Sequence, residues 1–214
     1  MINNELSKRI ISSLIIIPVA LFFIIKGSFL FISFILICFL ISSYEWHKMS
    51  NKKPYYLPGL LFLILSFYSS YIIRTNDNNS LELFLYILIV CVSTDIGGYI
   101  FGKVFKGPKL IKISPKKTYT GVIGGYLMSF ILYYLFKNFN YGDEINYNDF
   151  IFILFISTIS QLGDITISYF KRLSKIKDTG KILPGHGGLL DRIDGMIFAF
   201  PVAYIIFKII KINF

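Results

Sequence analysis

An all-α, polytopic integral membrane protein is the fold class this sequence predicts, and three observations predict it. Apolar residues fill 55% of the 214 positions and charged residues only 16%, too little charge to cover a soluble domain of this size. Mean hydropathy is +0.65. The apolar residues also fall in long blocks and not in an amphipathic stripe, as bilayer-spanning helices require. Cys38 and Cys91 both lie inside such blocks, so helix packing is expected of them, without a disulfide framework or zinc site.

Seven apolar runs follow in order, at 10–25, 29–43, 57–73, 83–101, 122–136, 150–170 and 195–212. They predict about seven transmembrane helices in a single membrane-embedded domain, 1–214. The first two are shorter than the about 20 residues of a straight span, and only Lys26-Gly27-Ser28 divides them. Either a tight transmembrane hairpin or a re-entrant pair fits, and the hairpin is expected because Lys26 can snorkel to an interface. Lys8-Arg9 ahead of an apolar run looks like a signal peptide, but Phe22-Phe23-Ile24-Ile25 fills the region where a small-residue cleavage site belongs. An uncleaved first span is therefore the expectation. The Asn-rich segment 76–79 reads as an outer turn.

Charge predicts the orientation. With the N-terminus in the cytoplasm and seven alternating helices, the cytoplasmic segments hold Lys8, Arg9, Lys48, Lys52, Lys53, Lys103, Lys106, Lys109, Lys112, Lys116, Lys117, Lys171, Arg172, Lys175, Lys177, Lys181 and Arg192, seventeen of the 22 basic residues. Lys26, Arg74, Lys137, Lys208 and Lys211 fall opposite. This asymmetry predicts N-in, C-out. Basic loops at an anionic leaflet also account for the net charge of +10, and no nucleic-acid partner is expected.

The twelve acids divide into kinds. Glu5, Asp77, Glu82, Asp143, Glu144 and Asp149 sit in expected tails and loops, where a solvated surface explains them. Glu45, in Tyr44-Glu45-Trp46, lies at a membrane boundary and reads as a helix-end anchor. Asp95 and Asp164 are embedded in apolar runs, where a carboxylate costs several kcal/mol and is paired or functional. Both lie toward the cytoplasmic ends of their helices, as do Asp178, Asp191 and Asp194. Asp191 and Asp194, three apart at the head of the last run, share one helix face. Beside glycines and cationic side chains, that pair suits a divalent metal and a polyphosphate.

Two polar loops supply counter-charge. The first, 102–121, mixes Gly102, Gly107 and Gly121 with lysines and hydroxyls. Glycine permits close approach to an anion, and Ser114 or Thr118 can cap the following helix, whose N-terminus attracts phosphate. The Walker A spacing is absent. The second loop runs up to Asp191. Its His186, between Gly185 and Gly187, suits a phosphate contact or a turn better than a metal, because the chain has only two histidines and no paired His spacing.

At this point the sequence resembles a known family. Ser168, Lys171-Arg172, Lys177-Asp178, Gly180, Leu183-Pro184, His186-Gly187-Gly188 and Asp191-Arg192-Ile193-Asp194 together resemble the signature of the phosphatidate cytidylyltransferases, or CDP-diacylglycerol synthases. Three supporting segments are similar to the family too: Ser160-Gln161-Leu162-Gly163-Asp164, Ser114-Pro115-Lys116-Lys117-Thr118 with Gly121, and Asp95 with Tyr99 and Gly102-Lys103. The similarity runs from about Asp95 to the C-terminus. Gly98 stands where the family often has alanine, Tyr119-Thr120 where it often has Trp-Glu, and the N-terminal part is shorter than is usual.

The resemblance implies transfer of CMP from CTP to phosphatidic acid, giving CDP-diacylglycerol and pyrophosphate in phospholipid biosynthesis, at the cytoplasmic face of the inner membrane. It implies N-terminal helices over 1–80 and catalytic helices and loops over 81–214. Asp164, Asp191, Asp194, Lys171 and Arg172 would be catalytic. Ser114, Lys116, Lys117, Thr118, Lys177, Asp178, His186, Gly187, Gly188 and Arg192 would bind substrate. Asp164, Asp191 and Asp194, with Asp95 as a fourth candidate, would hold Mg²⁺ or Mn²⁺, and the resemblance leaves room for a second cation and a homodimer. Two rivals fit less well. Asp191-x-x-Asp194-Gly195 echoes the CDP-alcohol phosphotransferases, but Phe198-Ala199 replaces their Ala-Arg and no acid follows Asp194. An ion-coupled transporter would explain Asp95 and Asp164 but not the lysine- and glycine-dense loops.

Overall fold

Six of the seven apolar runs lie wholly within helices: α1 (Ile2–Lys26), α2 (Ser28–Ser50), α3 (Tyr56–Thr75), α4 (Ser80–Phe105), α5 (Tyr119–Tyr141) and α6 (Tyr147–Leu173). The last run is helical as α8 (Met196–Ile209), preceded by the one-turn α7 (Leu190–Ile193). The structure is a computed structural model. It describes residues 2–75, 80–111, 114, 117–141, 146–183, 185 and 187–209, with side chains from 12 onward in α1, to 139 in α5 and to 208 in α8. Among the described residues five helices, α2 to α6, are long and apolar enough to cross a membrane; the apolar parts of α1 and α8 are shorter. The second run is not short in the structure. Its helix continues through the polar segment 42–50, giving α2 a full 23 residues.

Large apolar side chains such as Leu14, Phe29, Leu40, Leu61 and Phe155 are exposed on the helices, as lipid-facing surface requires, while several hydroxyls inside them are satisfied locally. Ser66, Ser69, Ser70 and Thr158 donate to carbonyls four residues back, which spares a hydroxyl from facing hydrocarbon unpaired. Cys91 is buried and Cys38 partly so, both as free thiols. These features define a multi-pass helical membrane protein.

The chain divides into two compact units. One comprises the residues up to Leu81 together with Phe170–Ile193; the other comprises Glu82–Tyr169 and the residues from Asp194. In the first, Arg74 near the end of α3 donates to the carbonyls of Ile24 and Ile25 at the end of α1 and to Ser80, so α1 and α3 end on the same side. Its guanidinium also lies over Phe31. At the other end of α2, Trp46 donates its indole N–H to the carbonyl of Tyr56 and packs edge-on to Phe170. Gly59 makes room for that indole, since a Cβ there would collide with it. Tyr55 packs at a tilt against Phe170 and bonds Ser174, which ties the segment after α6 to this end of α2 and α3.

In the second unit α4 and α5 approach at backbone distance. A Cβ on Gly97 would collide with the Gly124 carbonyl, and one on Gly121 would lie 2.8 Å from the Gly98 carbonyl. Small residues allow such contact where lipid supplies no hydrophobic drive between helices. Interhelical hydrogen bonds add to it, Thr94 to Ser157 at 2.9 Å and Tyr126 to Thr158 at 2.7 Å. Phe200 packs on Phe84 and Phe207 on Phe152, seating α8 in the same unit.

Two acids depart from the sequence expectation. Asp149, expected on a solvated loop, is fully buried, bonded to Tyr133 at 2.6 Å and paired with Lys137 at 2.7 Å. It sits in the first turn of α6 and also accepts the Asn146 amide, where the helix N-terminus favours an anion. Asp95, expected to be enclosed, is exposed on α4.

Candidate active site

The signature residues occupy two clusters, one in each unit. In the first unit the Lys171 ammonium lies 2.8 Å from Asp191 Oδ1, with the side chains 11% and 8% exposed. The other oxygen, Oδ2, accepts the amides of Thr179 at 2.8 Å and Gly188 at 3.2 Å. Asp191 thus reaches back three residues from α7 to its own approach loop, and its carboxylate is held by one cation and two N–H groups. Such charge-assisted bonds are the strong ones. The loop is shaped to allow this. Leu183 and Gly187 exchange backbone hydrogen bonds, and Gly187 has φ +90, with room for a Cβ only 3.2 Å from Asp191 Oδ2. Glycine adopts that backbone without strain.

Around this cluster Lys177 and Asp178 are exposed. Arg172 is exposed at the end of α6 and donates to the Ile176 carbonyl, and Arg192 is exposed on α7. His186 lies outside the described residues.

The second cluster is built on α5 and α6. Thr118 caps α5, its hydroxyl accepting the Gly121 amide at 3.1 Å; just before it the Lys117 amide donates to the Ser114 carbonyl, and a bridge joins Lys109 to Thr118. That geometry aims Lys117 at α6. Its ammonium lies 2.6 Å from Asp164 Oδ2 and 3.2 Å from the Gln161 carbonyl, and Ser168 donates to Asp164 Oδ1 at 3.3 Å. Asp194 is close by for a backbone reason. A Cβ on Gly163 would lie 2.8 Å from the Asp194 carbonyl, and one on Gly195 would collide with Ser160, so glycines beside both acids let the head of α8 meet α6. Asp194 is 7% exposed and accepts the Gly195 amide. Lys116 lies outside the described residues.

Asp164 and Asp194 are therefore neighbours in one unit, and Asp191 is fixed in the other. Among the described residues no three His, Cys, Asp or Glu side chains form a metal cage by themselves. Carboxylate oxygens do suit a hard divalent cation that completes its shell with phosphate oxygens and water, and a carboxylate accepting two or three bonds keeps lone pairs to spare. The donor chemistry fits.

One residue of the first cluster escapes sequence reasoning. Glu45 of α2, expected to anchor a helix end, is 1% exposed and accepts hydrogen bonds from Thr179, Leu189 and Leu190. Its position in Tyr44-Glu45-Trp46 at the end of an apolar run carries no signal of partners some 140 residues away.

Ammonium–carboxylate pairs beside glycine-rich segments of a polytopic membrane protein suit a membrane enzyme with phosphorylated, anionic substrates. Comparison with known proteins makes this specific. The sequence model of the cytidylyltransferase family matches residues 7–73 and 55–210. A protein of Rickettsia typhi named phosphatidate cytidylyltransferase is 37% identical over 206 residues, 92% of this chain and 89% of its own. Proteins of the same name from Staphylococcus haemolyticus (35%, covering 84% of this chain and 68% of the relative) and Haemophilus influenzae (40%, covering 68% and 51%) are also similar. The chain belongs to the cytidylyltransferase family.

Proposed function

We propose that this chain transfers the cytidylyl group of CTP to phosphatidic acid, forming CDP-diacylglycerol and pyrophosphate. The observation that carries the reading is that Lys117–Asp164 and Lys171–Asp191, two ion pairs at 2.6 and 2.8 Å, are built wholly from signature residues in a chain that matches the family from residue 7 to 210. An oxygen of the lipid phosphate attacks the α-phosphorus of CTP. The new P–O bond forms as the bond from that phosphorus to the bridging oxygen breaks, and pyrophosphate leaves with the electron pair. The nucleophile is already an anion near neutral pH, so no general base is needed.

The obstacle is repulsion between two polyanions, and fixed cations lower it. Lys117, Lys171, Arg172 and Arg192, with Lys116, hold phosphate oxygens. An ammonium has three N–H donors, and Asp191 takes one of those on Lys171. Asp164, Asp191 and Asp194 would hold Mg²⁺ or Mn²⁺, which when bound neutralises charge on the triphosphate and on the leaving pyrophosphate. Asp95 is the fourth candidate ligand. The carboxylates otherwise fix the ammonium groups in place, so that little reorganisation remains for the reaction.

The same reading sets the chain in the bacterial inner membrane with seven spans, the N-terminus in the cytoplasm, the C-terminus outside and the site at the cytoplasmic face. The lysine-rich loops support it. The ends of the first unit's helices support the alternation alone, with Arg74 beside the end of α1 and the Trp46, Tyr55 and Phe170 cluster at the other end. The test is nucleotide dependence in detergent. Pyrophosphate release that requires both CTP and phosphatidic acid, with ATP and GTP inactive, is expected; release of CMP from a CDP-lipid, or no phosphoryl chemistry, contradicts it.

A further inference from the structure

The Glu45 carboxylate, which the chemistry above does not use, accepts three hydrogen bonds, as many as Asp191 does. Oε1 accepts the Leu189 amide at 2.9 Å, and Oε2 accepts the Leu190 amide at 2.8 Å and the Thr179 hydroxyl at 2.9 Å. A Cβ on Gly188 would lie 2.6 Å from Oε2, and one on Gly180 would lie 2.5 Å from Oε1. Both glycines therefore let the loop close onto a carboxylate carried by a different helix.

Donors in this loop are divided between two acids. Thr179 gives its amide to Asp191 and its hydroxyl to Glu45. Of three successive amides, Gly188 serves Asp191 while Leu189 and Leu190 serve Glu45. Asp191 and Glu45 thus grip the same strip of backbone from two sides, and Asp191 is the residue paired with Lys171.

A neutral side chain cannot replace this grip. Both oxygens of Glu45 receive N–H groups, whereas a glutamine offers one accepting oxygen and turns an NH₂ toward a donor. A buried amide left facing a donor loses its bond and pushes the backbone away. We infer that Glu45 is a positioning residue for cytidylyl transfer, fixing the Asp191 carboxylate against Lys171 through Thr179 and the amides that lead into α7. Displacing a reacting constellation by about 1 Å costs about 10²-fold in rate.

The inference rests on the proposed reaction for its kinetic arm, and a second arm does not depend on it. Glu45→Gln, in the full chain purified in detergent, is expected to lower kcat about 10²-fold while the KM values for CTP and phosphatidic acid move less than about threefold. Hydrogen exchange over 179–190 should quicken about tenfold or more, with α4 and α5 unchanged. Thr179→Val should reproduce part of both effects and Thr179→Ser, which keeps the hydroxyl, neither; this pair decides the matter if Glu45→Gln fails to fold. Unchanged exchange over 179–190 in Glu45→Gln overturns the inference, as does a kcat within about twofold of wild type or Thr179→Val and Thr179→Ser behaving alike. A wild-type protein inactive toward CTP and phosphatidic acid instead overturns the proposed function and leaves the exchange result standing.

Discussion

Lys171 and Asp191 form an ion pair of 2.8 Å between side chains that are 11% and 8% exposed. Nearly buried, the pair owes its place to geometry more than to net energy, since desolvation offsets much of the attraction. Removing one partner alone leaves the other charge stranded. Asp191→Asn is expected to lose at least about 10²-fold in turnover and up to about 3 kcal/mol of stability. The double variant Lys171→Met with Asp191→Asn should regain much of the stability in a detergent unfolding titration and none of the activity. Recovery of both together would make the pair purely structural.

The Lys117 contact separates a phosphate grip from a topology signal. The positive-inside rule counts charges and ignores exact placement, whereas a grip depends on the cap of Thr118 and the reach to Asp164. Lys117→Ala is expected to lose at least about tenfold in kcat/KM, and adding Tyr119→Lys, at a position 53% exposed, should not restore it. Wild-type kinetics in the relocated variant would withdraw Lys117 from the site.

Arg172 offers a related comparison, because an ammonium cannot reproduce a guanidinium fork on phosphate. Arg172→Lys should raise the KM for one phosphorylated substrate several-fold, read from steady-state kinetics at fixed lipid-to-detergent ratio. Equal constants for the two proteins would leave Arg172 with only its bond to the Ile176 carbonyl.

Much of this fold is legible in the sequence because hydropathy is a local signal. Six runs lie within α1 to α6 and the described part of the seventh forms α8, and Thr118, one of the two hydroxyls expected to cap the following helix, caps α5. Acids are harder to read, because their partners are not local. Asp149 follows a polar stretch of sequence like any solvated residue, yet it pairs with Lys137, twelve positions earlier. Glu45 meets donors from 134 to 145 residues away. Asp95 shows a third case: the run around it is apolar, yet the residue itself is exposed on α4.

Orientation is open to labelling. Lys175→Cys, in a background lacking Cys38 and Cys91, should resist an impermeant thiol reagent on intact cells and react after permeabilisation. Lys26→Cys, exposed in the last turn of α1, should react from outside. The reverse pattern would invert the topology.

Metal dependence follows from the acids. Oxygen ligands suit Mg²⁺ and Mn²⁺ over zinc, so activity should vanish with EDTA and return with either ion. Full activity in a rigorously metal-stripped preparation would remove the metal role from Asp164, Asp191 and Asp194.

The most direct measurement follows the α-phosphorus. Purified protein in detergent, given CTP labelled at that atom together with phosphatidic acid, should move the label into a lipid that carries cytidine and release one pyrophosphate for each label transferred. Label that stays in CTP, or appears as free CMP without entering lipid, would contradict cytidylyl transfer to the lipid phosphate.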